Sequence, residues 1–382
     1  MKVTGDWLTR PQTQTVMALL ESAGHLALLV GGCVRNALLG APVDDIDIST
    51  DARPEQVIAL ARAAGLKPVP TGIDHGTITV VADGIPHEIT TFRADIETDG
   101  RRAVVRFADD VSEDALRRDF TMNALYADRR GTIVDPLGGL PDLIARRVRF
   151  IQNADTRIRE DYLRILRFFR FTAWYGNPDL GFDPDALDAI ARNLDGLATL
   201  SRERVGAELK KLLRAPDPAP AAATMAQTGV LPALIPGADA RALAPLVHLE
   251  QGLGAPPGAL RRLAAIGAFD GAALRLSKAE QRQLSTLQDL IGSVESPEEL
   301  GYRHGPDTAR DVVLLRAAML GGDLPPRALA RIATGAQATC PVTARDLQPG
   351  LQGAALGQRL KHLEALWIAS NFTLGRDDLL AL

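Results

Sequence analysis

Hydrophobic residues follow two different patterns along the chain. Residues 11–23 place apolar side chains at helical spacing, whereas the runs 77–81 and 87–92 are typical of strands joined by a hairpin. After about residue 224 the patterns are all helical and lie at 242–249, 259–269, 278–292, 308–320, 325–334 and 355–370. The chain is therefore predicted to have an α+β head, with a mixed sheet and helices, followed by all-α domains.

The length of 382 residues exceeds what one hydrophobic core normally organises. The change of pattern and a Pro/Ala-rich stretch at 215–223 suggest where the core is divided. We expect three domains, with the boundaries 1–148, 149–222 and 223–382.

A strand, a glycine turn and a helix are predicted near the N-terminus. The apolar run 26–30 ends in Gly31 and Gly32, and a helical pattern continues to Gly40. Glycines at such a turn let backbone N–H groups approach a phosphate closely. Arg35, one turn into the helix, can reach the same phosphates.

Two carboxylates follow in the sequence Asp45-Ile46-Asp47-Ile48. Alternation along a strand places both carboxylates on one face and both isoleucines on the other. Adjacent carboxylates repel each other unless a cation lies between them, and a divalent metal beside a phosphate-binding turn suggests phosphoryl or nucleotidyl transfer with two metal ions.

These motifs resemble a known family. The segments GGCVRNALLG and DDIDIST are similar to the opening motif of the class II tRNA nucleotidyltransferase and bacterial poly(A) polymerase family, within the DNA polymerase beta superfamily. HGTITV, EITTFR, RRDFTMNAL, DPLGGLPDL and SRERVGAELKKLL resemble later motifs, so that the resemblance covers roughly residues 25–214. One departure is Asn36, where family members commonly have Asp.

The resemblance implies a nucleotidyltransferase head followed by a helical neck, body and tail, and it assigns roles to particular residues. Asp45 and Asp47 would bind Mg²⁺, and Glu88 would be the third catalytic carboxylate; a half-exposed strand glutamate without a role is the alternative reading of Glu88. The residues expected to bind the phosphates and sugar of the nucleotide are Gly31, Gly32, Arg35, Arg118, Asp119 and Asn123. We expect the last three to lie on or near the binding side of a helix that begins at Asp114 or at Ser112.

The pattern ED-x-x-R-x-x-R-x-x-R resembles the base-selecting motif of the family. If one helix covers this segment, Asp161 and Arg164 project from neighbouring positions on one face, and Arg167 and Arg170 continue the row. By the resemblance, Asp161 and Arg164 recognise the base of the nucleotide, while Arg167 and Arg170 hold the triphosphate or brace the helix. An ion-paired helix surface is the alternative interpretation.

Residues 94–107 are highly charged around Asp99-Gly100 and are predicted to form a loop. In CCA-adding members of the family a loop at this position is linked to the change from adding C to adding A. A charge-rich hairpin with no role is the alternative.

Composition limits the binding partners and the cellular compartment expected for the protein. The formal net charge of −4 does not indicate a nucleic-acid binder, so that RNA contact requires a local basic face. Two cysteines without ligand spacing fit a reducing cytoplasm, and no apolar run reaches the length of about 18 residues that a membrane span needs. Arg261 and Arg262 are interpreted as solvated charges.

Together the motifs predict an enzyme that adds C, C and A to tRNA 3′ ends from CTP and ATP, without a membrane or an obligate protein partner. A poly(A) polymerase and a specialised CC-adding or A-adding enzyme are the alternatives within the family. A catalytically silent tRNA-binding protein is the alternative from another class.

Overall fold

The computed structural model describes residues 1–99 and 102–382, with only the backbone described at 95–99 and 102–105. The chain divides into two compact units. Unit 1 contains residues 1–216 and 224–236, and unit 2 contains residues 217–223 and 237–382. The finer division into head, neck and body stays a prediction.

In the described part of unit 1, seven strands form one mixed sheet and two more form a separate ribbon. The strands are β1 (Leu28–Val30), β2 (Asp47–Thr50), β3 (Lys67–Gly72), β4 (Thr77–Ala82), β5 (Ile85–Thr91), β6 (Arg93–Asp99), β7 (Arg102–Phe107), β8 (Tyr126–Ala127) and β9 (Ile133–Val134). The order in the sheet is β3-β4-β5-β2-β1-β8-β9, and β2 and β5 are its parallel pair.

The helices confirm the predicted change from a mixed to a helical pattern. Those that begin before residue 237 are α1 (Asp6–Thr9), α2 (Pro11–Ser22), α3 (Gly32–Leu39), α4 (Pro54–Ala63), α5 (Val111–Leu116), α6 (Leu140–Ala145), α7 (Ala154–Glu160), α8 (Leu163–Tyr175), α9 (Pro184–Arg192), α10 (Arg202–Leu213), α11 (Ala219–Gln227) and α12 (Val230–Leu234). Unit 2 continues with α13 (Leu243–Leu253), α14 (Ala259–Ile266), α15 (Lys278–Ile291), α16 (Pro297–Leu320), α17 (Ala328–Gln337), α18 (Ala344–Leu347), α19 (Gly353–Ala369) and α20 (Arg376–Ala381).

The centre of the sheet is fixed by alternation of side chains. Ile48, Ile78 and Ile89, on three neighbouring strands, are almost fully buried, and helices α2 and α4 pack near this part of the sheet. The intervening side chains of β2 and β5 therefore point to the other face. This face carries Asp47 and Glu88, which are paired in the register of the two parallel strands.

The prediction of a loop at 94–107 is wrong for the described residues of this segment. Strands β6 and β7 pair in antiparallel register from Arg93 opposite Phe107 to Asp99 opposite Arg102. Backbone hydrogen bonds hold such a ribbon and do not require apolar side chains. Gly100, at the predicted loop centre, lies outside the described residues.

The helix predicted close to residue 114 begins earlier and ends before the site. Helix α5 starts after Asp110, whose carboxylate accepts a hydrogen bond from the Ser112 amide, and ends at Leu116. Arg118 and Asp119 therefore lie in the turn that follows the helix, and Asn123 ends the short 3-10 helix Thr121–Asn123.

In unit 2, the interpretation of Arg261 and Arg262 as solvated charges is wrong. Their side chains are only 2% exposed, and both pair with Glu250. Arg261 also donates to Asp311 on α16. These charges are internal because helices α13, α14 and α16 each supply a member of the cluster.

No helix in residues 1–99 and 102–382 combines the length and apolar character needed to cross a bilayer.

Candidate active site

The predicted glycine turn lies between β1 and α3. Gly31 has φ +69° and ψ −117°, a conformation that favours glycine because a Cβ is strained there. A Cβ at Gly31 would lie 3.4 Å from Nη1 of Arg118. The turn thus brings its backbone close to a guanidinium group, which is an arrangement suited to an anion.

The three predicted carboxylates approach one another beside this turn. Asp45 lies two residues before β2 and is exposed, while Ile46 is buried, so that the predicted alternation holds although the strand begins at Asp47. Burial and then the charge of Glu88 raise the pKa of Asp47 to about 6, with a smaller contribution from Asp45 and an opposing one from Arg118. The pKa of Asp47 therefore depends on the charges of both other carboxylates.

Arg118 is oriented by groups that sequence analysis did not select. Its Nη2 donates to Asp114 at 3.0 Å and to Ser49 Oγ at 3.4 Å, and its Nε donates to the Tyr126 hydroxyl at 3.1 Å. Asp114 is fully buried. The resulting salt bridge fixes the guanidinium between the glycine turn and Asp47.

Arg35 joins the turn to the helix α8. Its Nη1 donates to Asn123 Oδ1 at 2.6 Å, and its Nη2 donates to Asn36 Oδ1 at 2.9 Å and to the Tyr175 hydroxyl at 3.0 Å. Burial lowers the pKa of Arg35, and its side chain is 7% exposed in total. Arg35 is thus held inside the protein rather than extended into solvent.

Asp119 continues this network towards α8. Its Oδ1 accepts a hydrogen bond from Asn123 Nδ2 at 2.8 Å, and its Oδ2 accepts one from Arg167 Nε at 2.7 Å. Burial acts to raise the pKa of Asp119. The charge of Arg167 and these hydrogen bonds nevertheless hold this pKa at about 2. Arg170 pairs in a similar way with Glu208 of α10 at 2.6 Å.

The predicted continuous helix through the base-selecting motif is wrong. Asp161 has an extended backbone, with φ −155° and ψ 104°, and separates α7 from α8. Its carboxylate accepts a hydrogen bond from Arg204 of α10 at 2.6 Å. Asp161 and Arg164 consequently do not form the row on one helix face that the spacing suggested.

Arg164 is held by a different set of acceptors. Its guanidinium donates to the Glu160 carboxylate and to the backbone carbonyl oxygens of Arg157, at 2.8 Å, and Arg117, at 3.2 Å. Its side chain is 12% exposed. These contacts fix the orientation of the remaining N–H groups of Arg164.

A metal ion at the carboxylates would need ligands in addition to the described side chains. Within the described ranges, no three acidic, histidine or cysteine side chains form a ligand set by themselves. Mg²⁺ is usually bound by one or two carboxylates together with water and substrate phosphates. Asp45 and Asp47 fit such an open site because the anion-binding turn is adjacent.

Sequence analysis did not select several residues that support the site. Ser49 could have been selected, since it follows Asp47 by two residues and shares its strand face. Tyr126, Arg204 and Glu208 gave no local signal, because their partners lie on other elements.

Two family profiles match the chain. Residues 27–149 match a profile described as the poly A polymerase head domain, and residues 179–241 match one described as a probable RNA and SrmB-binding site of polymerase A. The first match contains the glycine turn, the carboxylates and Arg118.

Curated relatives match over about half of the chain. The human mitochondrial CCA tRNA nucleotidyltransferase 1 is 42% identical over 201 residues, which are 52% of this chain and 46% of the relative. The CCA-adding enzyme of Geobacillus thermodenitrificans is 41% identical over 230 residues, which are 59% of this chain and 54% of the relative. The chain thus spans about half the length of the curated relatives it matches.

A solved structure extends the similarity to nearly the whole chain. The Bacillus stearothermophilus CCA-adding enzyme, solved in complex with CTP, is 30% identical, with 95% of this chain and 94% of that chain covered and a TM-score of 0.74. The fold, the ordered motifs and this similarity along the chain lead to one conclusion: the protein belongs to the class II family of CCA-adding enzymes and poly(A) polymerases.

Proposed function

We propose that this protein is a template-independent tRNA nucleotidyltransferase that adds C, C and A to tRNA 3′ ends from CTP and ATP. The observation that carries the proposal is the group of Asp45, Asp47 and Glu88 beside the Gly31 turn and Arg118. The names of the relatives support this activity over the others possible on the fold.

In the proposed reaction the 3′-hydroxyl of tRNA attacks the α-phosphorus of the nucleotide. A new O–P bond forms, the bond to the β-phosphate breaks, and pyrophosphate leaves. Asp45 and Asp47 would hold two Mg²⁺ ions, which when bound would supply Lewis-acid chemistry to the attacking hydroxyl and the phosphates. Glu88 is the third carboxylate of the site.

The remaining residues bind and orient the nucleotide. The backbone N–H group of Gly32 and the fixed guanidinium of Arg118 bind the triphosphate. The N–H group of Gly31 donates to the Leu125 carbonyl oxygen at 3.3 Å and holds the turn against the sheet. Asp119 and Asn123 are assigned to the ribose. The hydrogen bond from Asn123 Nδ2 to Asp119 Oδ1 fixes the orientation of both side chains towards its hydroxyl groups.

Asp161 and Arg164 select the base by hydrogen bonding. Glu160 and two backbone carbonyl groups fix the Arg164 side chain, so that it presents its donors in one orientation. Asp161 supplies acceptors from the extended residue before α8. A base with the wrong pattern leaves buried donors or acceptors unpaired, which costs more than a difference in size.

The proposed setting is the cytoplasm, because tRNA and nucleoside triphosphates are available there and the two cysteines are free thiols. No obligate protein partner is included in the proposal.

The proposal is tested by incubating the protein with Mg²⁺, a tRNA transcript that lacks CCA and labelled CTP. We expect incorporation by the wild type and its loss in Asp47→Ala. Asp44→Ala is the matched control, because Asp44 is an exposed neighbour outside the carboxylate group. Stable tRNA binding by a wild type that incorporates nothing would favour the silent binding protein.

A further inference from the structure

One aromatic ring gathers three of the arginines assigned to the nucleotide. The guanidinium carbons near the centroid of the Phe171 ring belong to Arg35 at 5.1 Å, Arg167 at 5.3 Å and Arg170 at 4.5 Å. All lie within the range of about 6 Å in which a cation is attracted to a ring. Phe171 is 3% exposed, and it therefore acts on these side chains rather than on a ligand.

The charges around the ring are not balanced. Arg167 pairs with Asp119, and Arg170 pairs with Glu208. The hydrogen-bond acceptors of Arg35 in the described chain are neutral, since they are Asn123, Asn36 and the hydroxyl group of a tyrosine. Three guanidinium groups thus share two carboxylates as direct partners, and Arg35 carries the excess charge.

Asn36 contributes to this excess. Its Oδ1 accepts two hydrogen bonds from Arg35, and its Nδ2 donates to the carbonyl oxygen of Pro42 at 2.8 Å. An aspartate at this position would supply a counter-ion for Arg35 and could not donate to Pro42. The amide therefore holds Arg35 in place without neutralising it.

The excess charge lies next to the phosphate-binding turn. A Cβ at Gly32 would lie 3.9 Å from Nη2 of Arg35, while a Cβ at Gly31 would lie 3.4 Å from Nη1 of Arg118. Two differently supported guanidinium groups therefore flank the two glycines. A polyphosphate at the turn would meet positive charge from both.

We propose that Phe171 is a positioning residue for the nucleotide triphosphate. Its ring holds Arg35, Arg167 and Arg170 together against their mutual repulsion, and the polyphosphate supplies the negative charge that this cluster lacks. The inference rests on the proposed function for the identity of the ligand, a nucleoside triphosphate. Phe171→Leu retains most of the apolar volume and removes the negative face of the ring.

The test compares variants of two phenylalanines on the same helix. Phe169 is also fully buried, but its ring neighbours are Phe168 and Phe182. The dissociation constants of tripolyphosphate, CTP and a tRNA transcript are measured by calorimetry for the full-length wild type, Phe171→Leu, Phe171→Tyr and Phe169→Leu. Thermal unfolding of each variant establishes that it is folded.

We expect Phe171→Leu to weaken binding of tripolyphosphate and CTP about tenfold, because several cation–ring contacts are lost together. Phe171→Tyr should retain wild-type binding, as it keeps the ring, and Phe169→Leu should bind normally although it also loses an internal ring. In the extension assay Phe171→Leu should raise KM for CTP more than it lowers kcat.

Three results would overturn the inference. Normal tripolyphosphate binding by Phe171→Leu, or an equal loss in Phe169→Leu, would mean that the ring only packs. Weaker binding of tRNA with unchanged binding of tripolyphosphate would mean that the cluster meets RNA phosphates instead. A wild type that adds no nucleotide would reject the proposed function, and the tripolyphosphate comparison would then decide the role of the ring by itself.

Discussion

Arg118 is held at the candidate site by a carboxylate that solvent does not reach. Asp114 is fully buried and accepts hydrogen bonds from Arg118, Arg117 and the Tyr126 hydroxyl. Burial acts to raise its pKa, but the charges of Arg118 and Arg117 and the hydrogen bonds hold the pKa at about 2. Asp114 is therefore ionised throughout the neutral range.

This depressed pKa gives a prediction about stability and pH. Asp114→Asn should lower the free energy of unfolding by about 3 kcal/mol, because two buried arginine contacts lose their counter-ion. A carboxylate with a lowered pKa stabilises the fold above its unfolded pKa, and this contribution is lost as pH falls. The difference between variant and wild type should therefore be constant near neutrality and shrink as pH falls from 3.8 towards 2.

Urea unfolding at several pH values measures this difference. Asp109→Asn is the matched control, because the Asp109 side chain is 84% exposed in its pair with Arg53 and should contribute less than about 1 kcal/mol. A difference for Asp114→Asn that disappeared near pH 6 would contradict the assigned ionisation.

Asp161 allows a prediction about nucleotide choice. Asp161→Ala removes the proposed acceptors while the Arg164 contacts remain, and it should lower the preference for CTP over UTP by at least about tenfold. Arg159→Ala is the control, since Arg159 is 62% exposed in its pair with Asp155. Single-nucleotide extension rates with CTP and UTP measure the effect, and unchanged discrimination in Asp161→Ala would remove this residue from base selection.

At the scale of residues, the sequence predicted those features that depend on the alternation of side chains along one strand. Alternation placed Asp45 and Asp47 on the face opposite the buried isoleucines, as the structure confirms for their exposure. It could not predict that Asp161 pairs with Arg204, because 43 residues separate them. The burial of Arg261 and Arg262 was missed for the same reason, since Glu250 and Asp311 belong to other helices.

At the scale of elements, apolar periodicity predicted helices and sheet strands but not their interruptions. Helix α2 and strands β4 and β5 lie where the pattern placed them. The break at Asp161 arises although the flanking residues have helical spacing, and its side chain accepts a hydrogen bond from the Leu163 amide at the start of α8. The pairing of β6 with β7 was only the alternative to the predicted loop, because its ladder is made by the backbone and leaves no apolar period in the sequence.

The β6–β7 ribbon gives a prediction about the order of addition. Asp95 and Val105 are paired across it, so that an Asn-Gly turn can replace residues 96–104 without disturbing the base of the ribbon. If the ribbon serves the change from C to A, the shortened protein should add CC at the wild-type rate and add the final A at least about tenfold more slowly.

Extension of transcripts ending in C and in CC separates the two steps. Asp83→Asn, in the tight turn between β4 and β5, is the control for an altered hairpin elsewhere in the head. Normal A addition by the shortened protein would leave the ribbon without this role.

At the scale of the whole molecule, the chain consists of a mixed unit and a helical unit with different kinds of core. Unit 2 contains the buried cluster of Arg261, Arg262, Glu250 and Asp311, which connects α13, α14 and α16. Helical content in this unit was predictable from its Ala/Leu-rich patterns. How its helices pack was not, because it depends on pairings between distant residues.

Glu250 tests the importance of this cluster. Glu250→Ala should lower the free energy of unfolding of unit 2 by about 3–5 kcal/mol, because the buried guanidinium groups of Arg261 and Arg262 both lose this carboxylate. Glu299→Ala, which removes a partly exposed pair with Arg303, should cost less than about 1 kcal/mol. Urea unfolding followed by circular dichroism compares them, and equal effects would show that the buried cluster does not stabilise the unit.

The central claim is that one protein adds the complete CCA end. Its most direct test is to incubate the protein with Mg²⁺ and tRNA transcripts that end at the discriminator base, at C or at CC, with labelled CTP and ATP supplied separately and together. We predict addition of C and C, then a single A, and then a stop. A long A tract, addition of only CC or only A, or no incorporation would contradict the claim.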